Sequence, residues 1–196
     1  SPTAPLQFLP LRFHCLRFSM SAPSFPAASA AVRPVIAIHG GAGTLSRGQI
    51  SPEQAEAYHA ALHGILEAGQ RILAAGGTAL DAVCLAVKLL EDCPLFNAGH
   101  GAVFTSRETH ELDAAVMDGA TLAAGAVAGV CRVRNPVEAA RAVMVRGQHV
   151  LMAGEGAEAV AREAGLAAVS PDYFSTEARR QQLHAARAPH AGAVLD

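Results

Sequence analysis

The segment Thr121–Val133, TLAAGAVAGVCRV, constrains most strongly what this chain can build. Its residues are small and apolar and follow no helical period, so it reads as a strand. Side chains this short suit a central strand packed closely between its neighbours. Asn135-Pro136 ends it and opens a helix through about Val145. Upstream, Glu111–Met117 runs into Asp118-Gly119, a hairpin signal that makes the two segments antiparallel partners. Ala102–Thr105 and His149–Ala153 are further short extended candidates.

Nearer the N-terminus, the apolar run Val35–Ile38 stops abruptly at His39-Gly40-Gly41-Ala42-Gly43, the pattern of a buried strand entering a tight loop. Ser51-Pro52-Glu53-Gln54 spells a capping box with Pro at the first helical position. Apolar residues at helical spacing follow as far as Gly76-Gly77. Thr78, with Asp81 three residues on, opens a second helix closed by Pro94, its apolar stripe being Leu80, Val83, Cys84, Val87 and Leu90. Helical patterns return over Glu155–Ala164 and Ser175–Arg187, the latter with Arg179, Arg180 and Arg187 near its exposed face. The order β, α, α, β, β, β, α, β, α, α does not repeat as βαβ units. It predicts an α+β chain with helices on both sides of a mainly antiparallel sheet.

Composition limits the function classes. With 51% hydrophobic and 16% charged residues in 196, the chain has material for a core. A net charge of -2 leaves no electrostatic footprint for nucleic acid or an anionic membrane. No run of about 18 apolar residues is present to span a bilayer. Cys15, Cys84, Cys93 and Cys131 form no CxxC pair and read as reduced, mostly buried thiols. Residues 1–33 differ in texture and read as a flexible extension, Met20 serving as an alternative start. Ala28-Ser29-Ala30 mimics the cleavage site of an export signal, which would place the protein in the periplasm. Arg12 and Arg17 interrupt the apolar stretch such a signal needs, so the expectation is cytoplasmic. The chain reaches Asp196 straight after a helical pattern, with no finishing strand, and reads as part of a larger fold.

Two loops could carry chemistry. IHGGAG at Ile38–Gly43 allows close backbone approach to a ligand or another segment, but neither GxGxxG nor GxxxxGK[ST] accompanies it. An esterase built on HGGAG would also need a Gly-x-Ser-x-Gly elbow, which is absent. In CPLFNAGHG, Cys93–Gly101, Asn97 is the one side chain suited to bind a substrate or orient a nucleophile, against the commoner role of an Asx turn. That loop could also wrap a hard cation in backbone carbonyls. His59 and His63 share a helix face, but no Glu follows His59 as a zinc peptidase motif requires. Asp113 and Asp118, five apart on a strand, point to opposite faces.

Taken together, VIAIHGGAG, LLEDCPLFNAGHGAVFT, HELDAAVMDGATLAAGAVAGVCRVRNPVEAAR, HVLMAGEGAEAVARE and STEARRQQLHAAR resemble the plant-type L-asparaginase/isoaspartyl peptidase family. The resemblance covers residues 34–196 and implies an N-terminal-nucleophile hydrolase. Such enzymes are made as a precursor that cuts itself into an α chain and a β chain opening with the nucleophilic threonine. The likeness implies an α subunit without catalytic residues of its own. It also implies part of a four-layer αββα sandwich completed by the β subunit, paired into an (αβ)2 heterotetramer. Gly40 and Gly41 would lie against the nucleophile and Asn97 would orient it. The backbone carbonyls of Leu90, Glu91, Cys93, Phe96, Ala98 and His100 would hold a structural sodium ion, with no organic cofactor. Thr44 and Thr78 follow glycines but fall in elements that the family keeps uncut. The implied activity is release of L-aspartate from β-aspartyl dipeptides and L-asparagine. The competing expectation is a non-catalytic α/β binding or interaction module.

Overall fold

The computed structural model describes residues 33–41 and 50–187. Apart from Arg33, these belong to the compact unit Pro34–Asp196. The expectations for Met20, Cys15, Ala42, Gly43, Thr44 and the extension before Arg33 fall outside the described residues. The elements are α1 (Pro52–Ala74), α2 (Ala79–Glu91), β1 (Leu112–Met117), β2 (Ala124–Val130), α3 (Pro136–Arg146), β3 (Leu151–Ala153), α4 (Gly154–Glu163), a 3-10 turn (Pro171–Phe174) and α5 (Glu177–Arg187).

Both helix starts read from the sequence form as expected. Ser51 Oγ accepts from Gln54 N at 3.2 Å while Gln54 Oε1 accepts from Ser51 N at 2.9 Å. Two backbone donors that helix geometry would orphan are thereby satisfied. Thr78 Oγ1 accepts from Asp81 N at 3.0 Å, which commits this hydroxyl to capping α2. At α3 the signal differs. Asn135 makes no capping bond with its side chain, and the carboxyl of Glu91 takes the place, its Oε1 accepting from Val137 N at 2.9 Å.

β2 is the central strand, as its composition indicates, in the order β1-β2-β3. β1 pairs with it antiparallel, with a bulge between Leu112 and Ala114. Asp113 covers the bulge by accepting from Gly129 N at 2.8 Å. β3 pairs parallel, Val127 facing Met152. The sheet is therefore mixed, its longer ladder antiparallel as expected and its β3 edge parallel. The reason is connectivity: α3 lies between β2 and β3 and carries the chain back to re-enter in the same direction.

The helices lie in successive layers on one sheet face, not on both as the element order suggested. Val116, Val127 and Val130 pack with Val137, Ala140 and Val143 of α3 and Ala157, Val160 and Ala161 of α4. α3 sits very close because Gly125 has no side chain; a Cβ there would lie 2.2 Å from Ala140 O and 2.4 Å from Met144 N. α2 packs on α3, and α1 on α2. The middle position of α2 explains a second correction. It buries Ala82, Cys84 and Ala86 between two helices, while Val83, expected in the apolar stripe, is partly exposed. Cys93 and Cys131 are half-buried rather than buried.

Two expected strands do not form. Val35–Ile38 finds no partner strand among the described residues, and Val35 is 87% exposed. Ile36 and Ile38 instead pack on a second apolar cluster of Ile65, Ala86, Leu90 and Phe96. Ala102–Thr105 is held by loop bonds, such as Thr105 N to Thr109 O at 2.7 Å, rather than by a ladder.

Candidate active site

The segment Asp92–Gly101 leaves α2 and folds back on its end. Cys93 N donates to Leu90 O, Phe96 N to Cys93 O and His100 N to Glu91 O, the last at 2.7 Å. Its base is fixed by Asp92, whose Oδ1 accepts from Arg134 Nε and Asn135 Nδ2, each at 3.1 Å, and from the Tyr173 hydroxyl at 3.3 Å. Its outer side is held by the Tyr58 hydroxyl, which donates to Leu95 O at 3.2 Å.

This is where the two glycine loops meet. A Cβ on Gly40 would lie 3.1 Å from Phe96 Cε1 and 3.2 Å from Leu62 Cδ2, so the backbone at residue 40 rests on the residue beside Asn97. Gly41 adopts φ 119°, a conformation that side chains resist, and its N–H donates to His39 Nδ1 at 3.2 Å. The structure thus seats Gly40 against the ring of Phe96, the neighbour of Asn97, although the two segments lie far apart in sequence.

Asn97 is not an Asx-turn residue. Its Oδ1 accepts from Val103 N, six residues on, at 2.9 Å. A peptide N–H can only donate, so the oxygen faces Val103 and the NH2 group is left as the outward donor. The side chain is exposed and therefore available to a group arriving from outside.

Glu91, beneath the loop, is 3% exposed, and its Oε2 has no hydrogen-bond partner. Burial pushes its carboxyl up to about 8, against the Val137 N–H, which favours the ionised form. Among the described residues no His, Cys, Asp or Glu cluster could hold a metal ion. A cation here would have to be held by carbonyls; Glu91 O and Cys93 O each accept one N–H and keep a second lone pair, while Leu90 O already accepts from both Asp92 N and Cys93 N. The close seat of Gly99, where a Cβ would lie 2.3 Å from Glu91 O, is compatible with so tight a wrap.

The remaining candidates scatter. His59 and His63 sit on α1, where His63 lies 3.6 Å from Glu67. Asp113 serves the bulge, and Asp118 braces its own turn through Ala120 N and the Thr121 hydroxyl. A cavity of about 670 Å³ opens between α2, α3 and α4. Its rim charges pair with one another, Asp81 with Arg141 and Lys88 with Glu138, and neither glycine loop lines it.

Sequence reading missed the brace behind the loop. Arg179, expected on an exposed helix face, donates from Nε to Gly101 O at 2.7 Å. Arg180 lies over the Phe104 ring, and Arg187 pairs with Glu108. Gly101 N donates to Phe174 O at 3.0 Å, and the His100 ring meets Tyr173 O. The only sequence hint was the spacing of three arginines along α5.

A family model described as Asparaginase matches residues 32–195. The isoaspartyl peptidase of Salmonella typhimurium is 62% identical over 170 residues, 84% of this chain and 54% of that protein. That of Escherichia coli (strain K12) is 59% identical over the same share of this chain. The plant-type L-asparaginase of Pyrococcus furiosus is 49% identical over 150 residues, 75% of this chain and 45% of its own. The chain spans about half the length of these curated relatives. With the paired glycine loops in place and matches of this extent, the chain belongs to the asparaginase family that includes isoaspartyl peptidases and plant-type L-asparaginases.

Proposed function

We propose that this chain is the α portion of an N-terminal-nucleophile amidohydrolase that releases L-aspartate from β-aspartyl dipeptides and L-asparagine. The observation that carries the reading is the seat of Gly40 on Phe96 of the Asn97 loop, in a chain 62% identical over 170 residues to an isoaspartyl peptidase. A precursor cuts itself, and the new β chain opens with a threonine. The freed α-amine, with a reference pKa of about 8, takes the proton of the threonine's own hydroxyl as the oxygen attacks the side-chain carbonyl. The C–N bond breaks, ammonia or an amino acid leaves with that proton, and water hydrolyses the acyl ester to free aspartate. Asn97, its NH2 facing outward, donates to the threonine and fixes its direction of attack. The Gly40-Gly41 backbone lies against the nucleophile, where a side chain would block it.

The open face of the sheet supports the partner. Ala115 pairs with Ala126, and Ala126 with Leu151, in an apolar surface of short side chains edged by Met117 at 55% exposure and Leu151 at 59%. A second sheet carried by the β chain packs there and completes the αββα sandwich, two such units pairing as (αβ)2. A sodium ion held by the carbonyls of Leu90, Glu91, Cys93, Phe96, Ala98 and His100 stiffens the loop and takes no part in the chemistry. No organic cofactor enters the reaction. No described helix is long and apolar enough to cross a membrane, and the proposed location is the cytoplasm.

The test is intact mass and N-terminal sequencing of the intact gene product, with hydrolysis of β-aspartyl-leucine and L-asparagine followed by aspartate release. Two chains, one starting with Thr, and aspartate release bear the reading out. One uncut, inactive, monomeric chain would replace it with the binding module.

A further inference from the structure

Asn97 is useful to a nucleophile only if its amide keeps one orientation, and the group that fixes it is the backbone of Val103. Its N–H, in the Ala102–Val103 peptide, is spent on Asn97 Oδ1 at 2.9 Å. Its carbonyl, in the next peptide unit, meets His110 Nδ1 at 3.2 Å. The far nitrogen of the same ring, Nε2, lies 3.0 Å from Ser175 Oγ. Chemistry settles the proton positions along this line. A carbonyl only accepts, so Nδ1 carries the hydrogen; the neutral ring then accepts at Nε2, and the Ser175 hydroxyl donates. His110 is 3% exposed, and burial holds its pKa below the usual histidine range, in keeping with a neutral ring. The ring lies tilted on Phe104, centroids 4.2 Å apart, and meets Phe174 in an edge contact at 6.1 Å. A buried ring with both nitrogens engaged is held in one orientation, and it fixes the Val103 carbonyl that it holds.

We propose that His110 is a positioning residue for Asn97, acting by holding the backbone of Val103 in place, and is itself held in one tautomer by Ser175. The proposal rests on the amidohydrolase reading for what Asn97 then does, but the hydrogen-bonded line itself stands on this chain alone. Holding the Val103 backbone in place keeps Asn97 Oδ1 inward on the Val103 N–H and leaves the NH2 group outward toward the nucleophile.

Two substitutions separate positioning from packing because they rank in opposite orders. His110→Phe keeps an aromatic ring between Phe104 and Phe174 but removes both hydrogen bonds. His110→Asn loses the ring but restores an N–H where Nδ1 stood. In the intact protein, positioning predicts that His110→Phe lowers kcat about tenfold or more, with KM within about twofold, and that His110→Asn recovers most of it. The melting temperatures run the other way, His110→Phe being the more stable variant. If kcat follows the melting order instead, His110 is only a packing residue and the proposal is overturned.

Amide hydrogen exchange at Val103 gives a readout that does not depend on turnover. Protection is kept in His110→Asn and lost in His110→Phe if the line holds, and is equal in both if it does not. An intact protein inactive on both substrates refutes the amidohydrolase reading, while the exchange result still decides the proposal. Should His110→Phe fail to accumulate, Ser175→Ala frees the ring to turn, with the same two readouts. A loss of Val103 protection at unchanged melting temperature supports the proposal, and unchanged protection rejects it.

Discussion

The two faces of the three-stranded sheet differ more than any other two regions of this molecule. On one, Val127 and Val130 are at most 1% exposed beneath α3 and α4. On the other, Ala115, Ala126 and Ala128 form a floor of single methyl groups bordered by exposed Met117, Val150 and Leu151. The covered face uses branched side chains that fill the gap to a helix, and a glycine where the helix comes closest. The open face has side chains too short to fill such a gap, which suits another flat sheet about 10 Å away better than a helix. The residue types therefore differ with the shape of the neighbour each face accepts.

Substitutions can break that comparison. The largest effect is expected from Gly125→Val on the covered face. Its Cβ would sit within 2.4 Å of two backbone atoms of α3, so the helix must lift and folding is lost, at a cost above about 4 kcal/mol. Soluble expression and circular dichroism check it. Next is Ala126→Asp on the open face of the intact protein. If a second sheet covers that face, burying the carboxylate costs about 3 kcal/mol or more and the heterodimer does not assemble; if water covers it, the change is near neutral. Size-exclusion chromatography separates the two outcomes. Val130→Ala on the covered face should cost about 2 kcal/mol in urea unfolding whatever lies on the other side.

The covered side also predicts a pH dependence. Burial lowers the folded-state pKa of His110 below the reference value of 6.5. Below that pH the unfolded chain binds more protons than the folded one, so stability is lost as pH falls through about 6.5 and on toward the folded pKa. His110→Asn should flatten this part of the stability curve, as urea midpoints at pH 5 and pH 7.5 would show. The smallest effect belongs to the β1–β2 turn. Leu122 holds φ 61° and is 70% exposed. Leu122→Gly relieves that backbone conformation and should raise stability by about 0.5 kcal/mol, unless the leucine is buried in the assembled protein, where the change becomes destabilising.

What the sequence made readable follows from how far each signal reaches. The caps at Ser51 and Thr78 act within three residues, and both formed as expected. β2 was legible because its own composition demands close neighbours. Val35–Ile38 was misjudged because a strand exists only with a partner, and no local pattern reports one. The direction of β3 turned on the crossover through α3, a tertiary fact. In the site, Gly40, Gly41 and Asn97 stood out as residue types, and the structure seats Gly40 on Phe96, next to Asn97. The brace from Tyr173, Phe174 and Arg179 did not stand out, because nothing in a helical arginine spacing tells whether its face meets water or a loop some 70 residues upstream.

That separation has a consequence for the order of events during synthesis. The His100 ring meets the Tyr173 carbonyl across 73 residues of chain. At a translation rate of about 5–20 residues per second, the loop waits roughly 4–15 s before its brace has even been made. Throughout that interval the caps, both long helices and the β1–β2 hairpin can already form, while the His100–Gly101 end of the loop lacks its partners on Tyr173 and Phe174. The framework around the loop is thus in place before the last of the contacts that hold the loop can be made.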